Sequence, residues 1–477
     1  MSDMLMSATW TQTLFANAAA DPFLPAATAL FFCAVVHALC APIFARAAHR
    51  REAQRADFKS AALHLLGEVE AVFGLWSLVL FLFAVCWPGK GWAFAVAYLE
   101  SGDYAAAVAG REFTGPFKFL EPLFVFIIMA MASTRPVVEA ARRMLNAVAG
   151  WFGGSPAARW MVVLTVTPLA GSLITEPAAM TIAAYLLAAQ FYCLKPSSSL
   201  KYATLALLFV NVSIGGALTH FAAPPVVMVA TRWGWGTVEV FQQFGAAALT
   251  AILISNITYF LCFRQELLAL RSPESSAEAE REPTVPLWVT AVHIALIAWT
   301  VVMLSGHHTL LMVGGFLLFL AFGVATPRWQ SPLRLRAPLM VGFFLAGLVV
   351  LGGLQGWWIG PVILQMGETS LLWASVGLTA FNDNAAITYL AAQVPALAEP
   401  SAAALRHAVL AGALAGGGLT VIANAPNPAG QAILGEYFEG GVSAGRLFLW
   451  ALLPTGVAVG CFLFFREPHH PRGKGWG

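Results

Sequence analysis

The sequence has few charged residues: they make up 10% of its 477 residues, whereas about 25% is usual in a soluble domain. Hydrophobic residues make up 59%, and the mean hydropathy is +0.74. No polar stretch is long enough to form a soluble domain between the apolar runs. This composition predicts an integral membrane protein with many spans, and it excludes a receptor with a single span and a membrane-anchored enzyme.

Several functional signatures are also missing. The six cysteines form no CxxC pair, which argues against a disulfide framework and a cysteine metal site. There is no GxxxxGK[ST] loop for a nucleotide. The net charge of +2 gives no case for nucleic acid. We therefore expect no cofactor, no resident metal and no nucleic-acid partner. The first basic residue is Arg46, so the N-terminus lacks the basic region of a signal peptide and the first span should be retained.

Apolar runs long enough to cross a bilayer recur along the chain. Ten of them lie near residues 24–45, 65–87, 117–133, 202–234, 240–263, 286–304, 309–326, 337–356, 402–437 and 444–465. Two further runs, near 160–192 and 368–396, are interrupted by polar residues and Gly or Pro. Each is too long for one helix across about 30 Å and too short for two crossings. We predict an all-α polytopic membrane protein with about ten transmembrane helices and two re-entrant hairpins.

The basic residues favour one orientation. If residues 46–59 are cytoplasmic, 18 of the 26 Lys and Arg fall on the cytoplasmic side, as the positive-inside rule prefers. The N-terminus and the basic tail after Phe465 are then outside. The charged, Ser/Glu-rich stretch 264–285 is predicted to be a mobile cytoplasmic linker between two halves, 1–263 and 286–477.

The two halves carry matching motifs in the same order. EPAAMT at 176–181 matches DNAAIT at 383–388 with an offset of 207, and GGALT at 215–219 matches GGGLT at 416–420 with an offset of 201. Each half contributes five crossings, so the second copy should enter the membrane from the opposite side. We predict two inverted-topology repeats, each with a hairpin followed by a broken helix: 160–192 and 202–234 in the first, 368–396 and 402–437 in the second.

Only two acidic residues, Glu176 and Asp383, lie in the middle of apolar runs. A charge at the bilayer centre costs roughly 2.5–3.5 kcal/mol on insertion scales, so such residues usually face a cavity and have a function. Pro177, Asn382 and Asn384 flank them and favour turns and helix starts. Each acid is therefore predicted at the tip of a hairpin. A carboxyl group kept only for packing is less favoured, because the two acids occupy equivalent positions.

The GGxLT motifs, each followed by proline, predict unwound backbone in the spans after the hairpins. Unwound backbone at membrane depth must line protein or water, and its carbonyl groups can coordinate a cation. Together with the two acids, neutral oxygen ligands for Na⁺ are predicted at Thr175, Asn382, Asn384, Thr219, Thr420, Asn424 and Asn427. His220 is either a proton-carrying or pH-sensing group or a hydrogen-bonded core histidine.

Four stretches, 171–187, 215–225, 378–390 and 416–430, resemble the Na⁺/H⁺ antiporter branch of the ion transporter superfamily, which also includes arsenite pumps and sodium–dicarboxylate carriers. The resemblance implies two inverted repeats with discontinuous helices, often a homodimer working by an elevator motion, in a bacterial inner membrane. Dicarboxylate carriers of that superfamily have Ser-Asn-Thr at each hairpin tip, whereas this chain has 175–177 (Thr-Glu-Pro) and 382–384 (Asn-Asp-Asn). Two carboxylates would repel an organic dianion.

We therefore expect secondary antiport of Na⁺, or of Li⁺ or K⁺, against H⁺, with Glu176 and Asp383 alternately binding proton and cation. The alternative is a Na⁺- or H⁺-coupled transporter of a small anion held by half-helix N-termini. It is weaker because no Arg or Lys lies near the motifs in mid-membrane. An intramembrane aspartyl protease and a channel are the remaining alternatives; the paired hairpins and GGxLT elements favour a carrier over both. The ion, the stoichiometry and the oligomeric state do not follow from the sequence.

Overall fold

The computed structural model describes residues 10–52, 57–101, 103–110, 117–271, 284–333 and 335–466. These residues are almost entirely helical, and there is no strand among them. Helices suit a chain in lipid because every backbone hydrogen bond is made within one segment. The predicted all-α class is therefore confirmed.

Twenty-four α-helices follow one another along the described chain. The first eight are α1 Trp10–Ala20, α2 Phe23–Glu52, α3 Phe58–Gly67, α4 Val69–Cys86, α5 Gly91–Ser101, α6 Tyr104–Val108, α7 Leu120–Ala132 and α8 Arg135–Trp151. The next seven are α9 Pro156–Ile174, α10 Glu176–Gln190, α11 Ser198–Gly215, α12 Pro224–Trp233, α13 Thr237–Val240, α14 Ala246–Cys262 and α15 Arg264–Ala269. The last nine are α16 Leu287–Ser305, α17 Thr309–Ala325, α18 Arg336–Gly352, α19 Gly356–Ile363, α20 Glu368–Phe381, α21 Asn384–Ala392, α22 Ala403–Gly416, α23 Asn427–Leu434 and α24 Ala444–Phe464.

The chain divides into two compact units that interleave along the sequence. Unit 1 comprises Met1–Arg143, Ser276–Met366 and Ala385–Pro395, and unit 2 comprises Met144–Ser275, Gly367–Asn384 and Ala396–Gly477. Each unit draws on both halves of the sequence. The compact units are therefore not the two consecutive halves, 1–263 and 286–477, into which the motifs divide the chain.

Seven of the described helices are long and apolar enough to cross a membrane, and the number rises to ten if each of three bent helix pairs is one span. The bent pairs are α3 with α4, α7 with α8, and α18 with α19. The protein is thus a multi-pass membrane protein. Eight of the ten predicted spans coincide with these candidates; the other two candidates are the helices of the first predicted hairpin, and the predicted spans near 309–326 and 402–437 are not among them.

The two predicted hairpins differ in length. The first consists of α9 and α10, and Pro156–Ile174 and Glu176–Leu194 have 19 residues each, so by length both could cross. The run is longer than expected because Pro156 starts α9 early and a 3₁₀ turn continues α10. In the second hairpin, α20 has 14 residues and α21 has nine. At 1.5 Å per residue these helices are too short to cross about 30 Å.

The predicted linker 264–285 is partly helical. Its first residues form α15, which ends at Ala269. Residues 272–283 of the linker, like the basic residues of the tail beyond Arg466, lie outside the described residues.

Proline inside a helix leaves a carbonyl group without its usual partner, because proline has no N–H for the residue four positions earlier. Pro168 of α9 does this to Leu164, whose carbonyl oxygen accepts hydrogen bonds from Asn211 Nδ2 (3.0 Å) and Asn256 Nδ2 (3.1 Å). The two amides thereby tie α9 to α11 and α14. The same compensation recurs at Pro361 and Pro454, whose freed carbonyls on Trp357 and Trp450 accept from Asn17 and Tyr259.

We predict that Asn256→Ala lowers the free energy of unfolding by about 1–3 kcal/mol, because buried polar partners lose their hydrogen bonds. The loss in free energy of unfolding caused by Pro168→Ala should be about 1 kcal/mol smaller in the Asn256→Ala protein than in the wild type. There the backbone N–H that alanine restores replaces the lost donor to Leu164 instead of competing with it. Denaturant titrations of the four variants in detergent measure this coupling. Strictly additive effects would contradict the assigned role, and Asn146→Ala, which removes an exposed amide, is the control.

Candidate functional site

Two broken helices cross in the middle of unit 2. One is α11 followed by α12, and the other is α22 followed by α23, each with an unwound segment between its halves. Next to the breaks, Ser213 Oγ on α11 donates a hydrogen bond to the Leu414 carbonyl on α22 (2.7 Å). Glycine permits this approach. A Cβ on Gly417 would lie 2.2 Å from Ser213 Oγ, and one on Gly418 would lie 2.4 Å from the Val210 backbone.

The two broken helices run in opposite directions. Lys201, near the start of α11, donates to the carbonyl of Tyr437, just beyond α23 (2.9 Å). Arg406, near the start of α22, lies over the ring of Trp235, just beyond α12 (5.8 Å). The start of each broken helix therefore contacts the end of the other. In this antiparallel arrangement, the two unwound segments face each other at the crossing.

The helix before each acid runs parallel to the broken helix that follows it. On α9 and α11, Trp160 Nε1 donates to Thr204 Oγ1 (2.8 Å) and Ser172 Oγ donates to the Gly215 carbonyl (2.6 Å). On α20 and α22, Gly412 lies against the Leu372 carbonyl and Gly416 against that of Val376. α9 and α20 therefore end beside the unwound segments of the two broken helices. The acids follow directly, so both lie at the crossing.

Glu176 is fully buried at the start of α10. Its N–H donates to the Ala222 carbonyl in the first break (3.3 Å), and its Oε2 accepts from Asn424 Nδ2 in the second break (3.0 Å). A Cβ on Gly216 would lie 2.5 Å from Oε1, so this glycine makes room for the carboxyl group. Glu176 thus joins both broken helices.

The residue before Glu176 has an unusual backbone conformation. Thr175 has φ = 80° and ψ = 149°, a region that a β-branched residue rarely occupies and that costs on the order of 1–3 kcal/mol. Such strain persists where the surroundings fix the backbone, and it is common at binding sites. Here it accompanies the sharp reversal from α9 to α10.

Several buried oxygen atoms near Glu176 accept no hydrogen bond from any part of the chain that the structure describes. They are Glu176 Oε1, Thr175 Oγ1, Asn424 Oδ1 and Asn427 Oδ1. The amide nitrogen of Asn427 donates to the carbonyls of Gly417 (2.7 Å) and Thr420 (2.9 Å), which fixes the second break. Buried acceptors without a donor are costly, and a hard cation is the kind of partner that oxygen atoms suit.

Asp383 lies at the second tip and is 8% exposed. Its N–H donates a local hydrogen bond to Asn382 Oδ1 (3.0 Å), and the next residue, Asn384, donates from Nδ2 to Ser213 Oγ (3.4 Å). Through Asn384, the second tip thus meets α11 at the crossing. All of the predicted tip residues therefore gather around the crossing.

The two threonines of the GGxLT motifs connect each break to a tip. Thr219 Oγ1 donates to the Ser172 carbonyl on α9 (2.7 Å), and Thr420 Oγ1 donates to the Ala380 carbonyl on α20 (2.8 Å). Both were predicted as cation ligands. The structure gives each hydroxyl a hydrogen-bonding role at the same position in its half.

His220 lies at the edge of this region. Its Nδ1 is 2.7 Å from Thr237 Oγ1 in an exposed pair, and the ring is half-buried. The ring therefore lies outside the core and is joined to the start of α13. Its role as a proton-carrying or pH-sensing group stays a prediction.

Two serines of the site, Ser172 and Ser213, were not predicted from the sequence. Ser172 Oγ joins the Gly215 carbonyl to the Leu218 N–H across the first break, and Ser213 links the two broken helices. Serine is common inside apolar helices, so residue type alone did not mark these two. The available signals were their positions: Ser172 is four residues before Glu176, and Ser213 is two residues before Gly215.

The fold and the site together define a multi-pass helical membrane protein with two buried carboxyl groups at the crossing of two broken helices, which are features of secondary transporters. The chain belongs to a family described as "Putative Na+/H+ antiporter", whose model matches residues 23–465, nearly the whole sequence. Membership places it among transporters rather than enzymes. No curated protein matches the chain.

Proposed function

We propose that this protein exchanges Na⁺, or Li⁺ or K⁺, for H⁺ by alternating access, with Glu176 as the group for which cation and proton compete. The observation that carries the proposal is the fully buried Glu176, whose Oε1 has no donor in the described chain although its Oε2 accepts from Asn424. One carboxyl oxygen is held by a neutral amide, and the other is left for a proton or a cation.

Charge balance explains why the exchange is coupled. A bare carboxylate in a buried site is costly, so Glu176 needs either a proton or a cation as compensation. Both would occupy the same face of the carboxyl group, at Oε1. Binding one therefore expels the other, and a carrier that moves only when the charge is compensated exchanges the two ions.

The two acids have unequal surroundings, and this supports unequal roles. Asn424 and Asn427 in the second break correspond, at the offset of 201, to Ala223 and Val226 in the first. The first break thus offers the site no amide at those positions. We infer that Glu176, Asn424, Asn427 and Thr175 form the cation site, and that Asp383 acts on it through its charge and carries a proton.

The contacts in unit 2 also support the inverted repeat. Ser213 and Leu414, which hydrogen-bond to each other, are equivalent residues at the same offset of 201. Two equivalent residues meet where a pseudo-twofold axis passes between two repeats. The antiparallel broken helices and the two parallel pairs before them fit such an axis. Re-entrant hairpins, a homodimer, the inner-membrane location and an outside N-terminus remain part of the proposal.

The test uses everted vesicles or proteoliposomes with an imposed pH gradient reported by a fluorescent dye. Na⁺, Li⁺ and K⁺ are added separately, with choline as the control. Dissipation of the gradient by at least one alkali cation is expected. If no cation dissipates the gradient, the proposal fails; uptake of a labelled small anion driven by an imposed Na⁺ or H⁺ gradient would then identify a coupled anion carrier.

A further inference from the structure

A cluster of metal-binding side chains lies in unit 1, at the end of α2 and in α3. His49 and Glu52 are three residues apart on α2 and therefore share one face of that helix. His64 of α3 faces them, with its Nε2 2.8 Å from Glu52 Oε2. The rings of His49 and His64 are 5.0 Å apart. One potential ligand atom from each of the three residues lies within 4.8 Å of the others.

The two helices are fastened next to this cluster. Asp57 caps α3 by accepting from the Ser60 N–H (2.9 Å), and its two oxygens accept from Arg51 Nε (3.1 Å) and Nη2 (2.7 Å) on α2. The hydrogen bonds from Arg51 lower the pKa of Asp57 to about 2, so this ion pair persists at all physiological pH values. The pair holds α2 and α3 together independently of the three candidate ligands.

The surrounding charge is less unfavourable to a cation than the sequence suggests. Arg51 is compensated by Asp57. Arg46 and Arg50 are four residues apart and line a groove with Ile43 and Leu63. With 100° per residue, Arg46 and Arg50 lie about 120° and about 160° around α2 from Glu52, and about 60° and about 100° from His49. Both arginines are therefore farther around the helix from Glu52 than His49 is.

We propose that His49, Glu52 and His64 form a binding site for a divalent transition metal of the Zn²⁺ class. Two imidazoles and one carboxylate are a common zinc ligand set, with a fourth position open to water. Mg²⁺ and Ca²⁺ prefer sites made only of oxygen ligands and are excluded by the two imidazoles. A tetrahedral zinc needs ligand atoms about 3.3 Å apart, given bonds of about 2.0–2.1 Å. The His64–Glu52 pair is at 2.8 Å and all three atoms lie within 4.8 Å of one another, so binding requires the side chains to rotate until these distances become equal.

Metal binding replaces the direct contact between His64 Nε2 and Glu52 Oε2, and it links α2 to α3 a second time. Because the site binds only neutral imidazole, affinity should fall at acidic pH, where protons compete with the metal for the ring nitrogens. The metal is distinct from the transported ion and lies in the other compact unit. The inference therefore does not depend on the proposed antiport.

The test uses full-length protein purified in detergent with an affinity tag that contains no histidine. After removal of metals with a chelator, Zn²⁺ is titrated, and bound zinc is measured by elemental analysis after desalting. Co²⁺ serves as a spectroscopic substitute, since tetrahedral coordination gives intense visible absorption. The variants are His49→Ala, His64→Ala and Glu52→Gln. His308→Ala, which removes another exposed histidine of unit 1, is the matched control.

We expect one zinc per wild-type chain, a tetrahedral cobalt spectrum and a zinc-dependent rise in unfolding temperature. Each of the three variants should lose at least about tenfold in affinity, whereas His308→Ala should bind like the wild type. In chelator, all variants should unfold near the wild-type temperature, since the three side chains are partly or fully exposed. Zinc binding that is absent in the wild type, or that is equal in the variants and the wild type, would overturn the assignment.

Discussion

Glu176→Gln should abolish cation-dependent dissipation of a pH gradient, with a loss on the order of 100-fold or more in transport rate. Glutamine has the shape of glutamic acid but can neither release a proton nor offer a negative charge to the cation. The substituted side chain can still hydrogen-bond to Asn424, so the fold should survive. The measurement is dye fluorescence in proteoliposomes containing equal amounts of folded protein.

Two further variants show whether this loss of transport is specific to Glu176. Glu436→Gln removes a carboxylate of unit 2 outside the crossing and should transport like the wild type. Asp383→Asn should also impair exchange but should retain cation binding, because the proposed cation site consists of Glu176, Asn424, Asn427 and Thr175 and does not include Asp383. Normal exchange by Glu176→Gln would refute the assignment. Equal loss of cation binding in both variants would refute the unequal roles.

Gly216→Ala should also inactivate transport, although the substitution adds a single methyl group. The new Cβ would lie 2.5 Å from Glu176 Oε1 and 2.6 Å from its Cγ, closer than real contacts allow. The carboxyl group must move away from the crossing, and misplacement by about 1 Å can cost on the order of 100-fold in a preorganised site. We expect at least a tenfold rise in the cation concentration for half-maximal exchange.

Gly456→Ala is the matched control for this substitution. Gly456 is also a helical glycine of unit 2, and a Cβ there meets nothing within 4 Å. It should leave exchange unchanged, which separates the clash with Glu176 from a general effect of alanine. A Gly216→Ala protein that exchanges ions with wild-type affinity would show that the position of the carboxyl group does not matter.

The sequence predicted the residues of the site better than the contacts between them. The repeat pattern predicted both acids and both breaks, because glycine pairs, proline and a mid-membrane carboxyl group leave strong local signals. It did not predict the contact between Glu176 and Asn424, which are 248 residues apart. That contact depends on the crossing of two helices from different halves, and no local pattern encodes it.

Other details also depend on packing. Thr219 and Thr420 are predicted as cation ligands from residue type, and this role stays a prediction; each also donates its hydroxyl hydrogen to a carbonyl group of the helix before the acid. Which carbonyl accepts that hydrogen depends on the helix that lies opposite. The interleaving of the two compact units was also not predicted, since hydropathy places helices along the chain and not beside one another.

Proton release on cation binding tests the central claim most directly. Purified protein in weakly buffered detergent solution is titrated with NaCl against choline chloride, with a pH indicator, over the pH range in which exchange is active. The account predicts that binding of Na⁺ releases a proton, with most of the release missing in Glu176→Gln and little change in Glu436→Gln. Saturable Na⁺ binding without proton release at any of these pH values would contradict a shared site for the two ions.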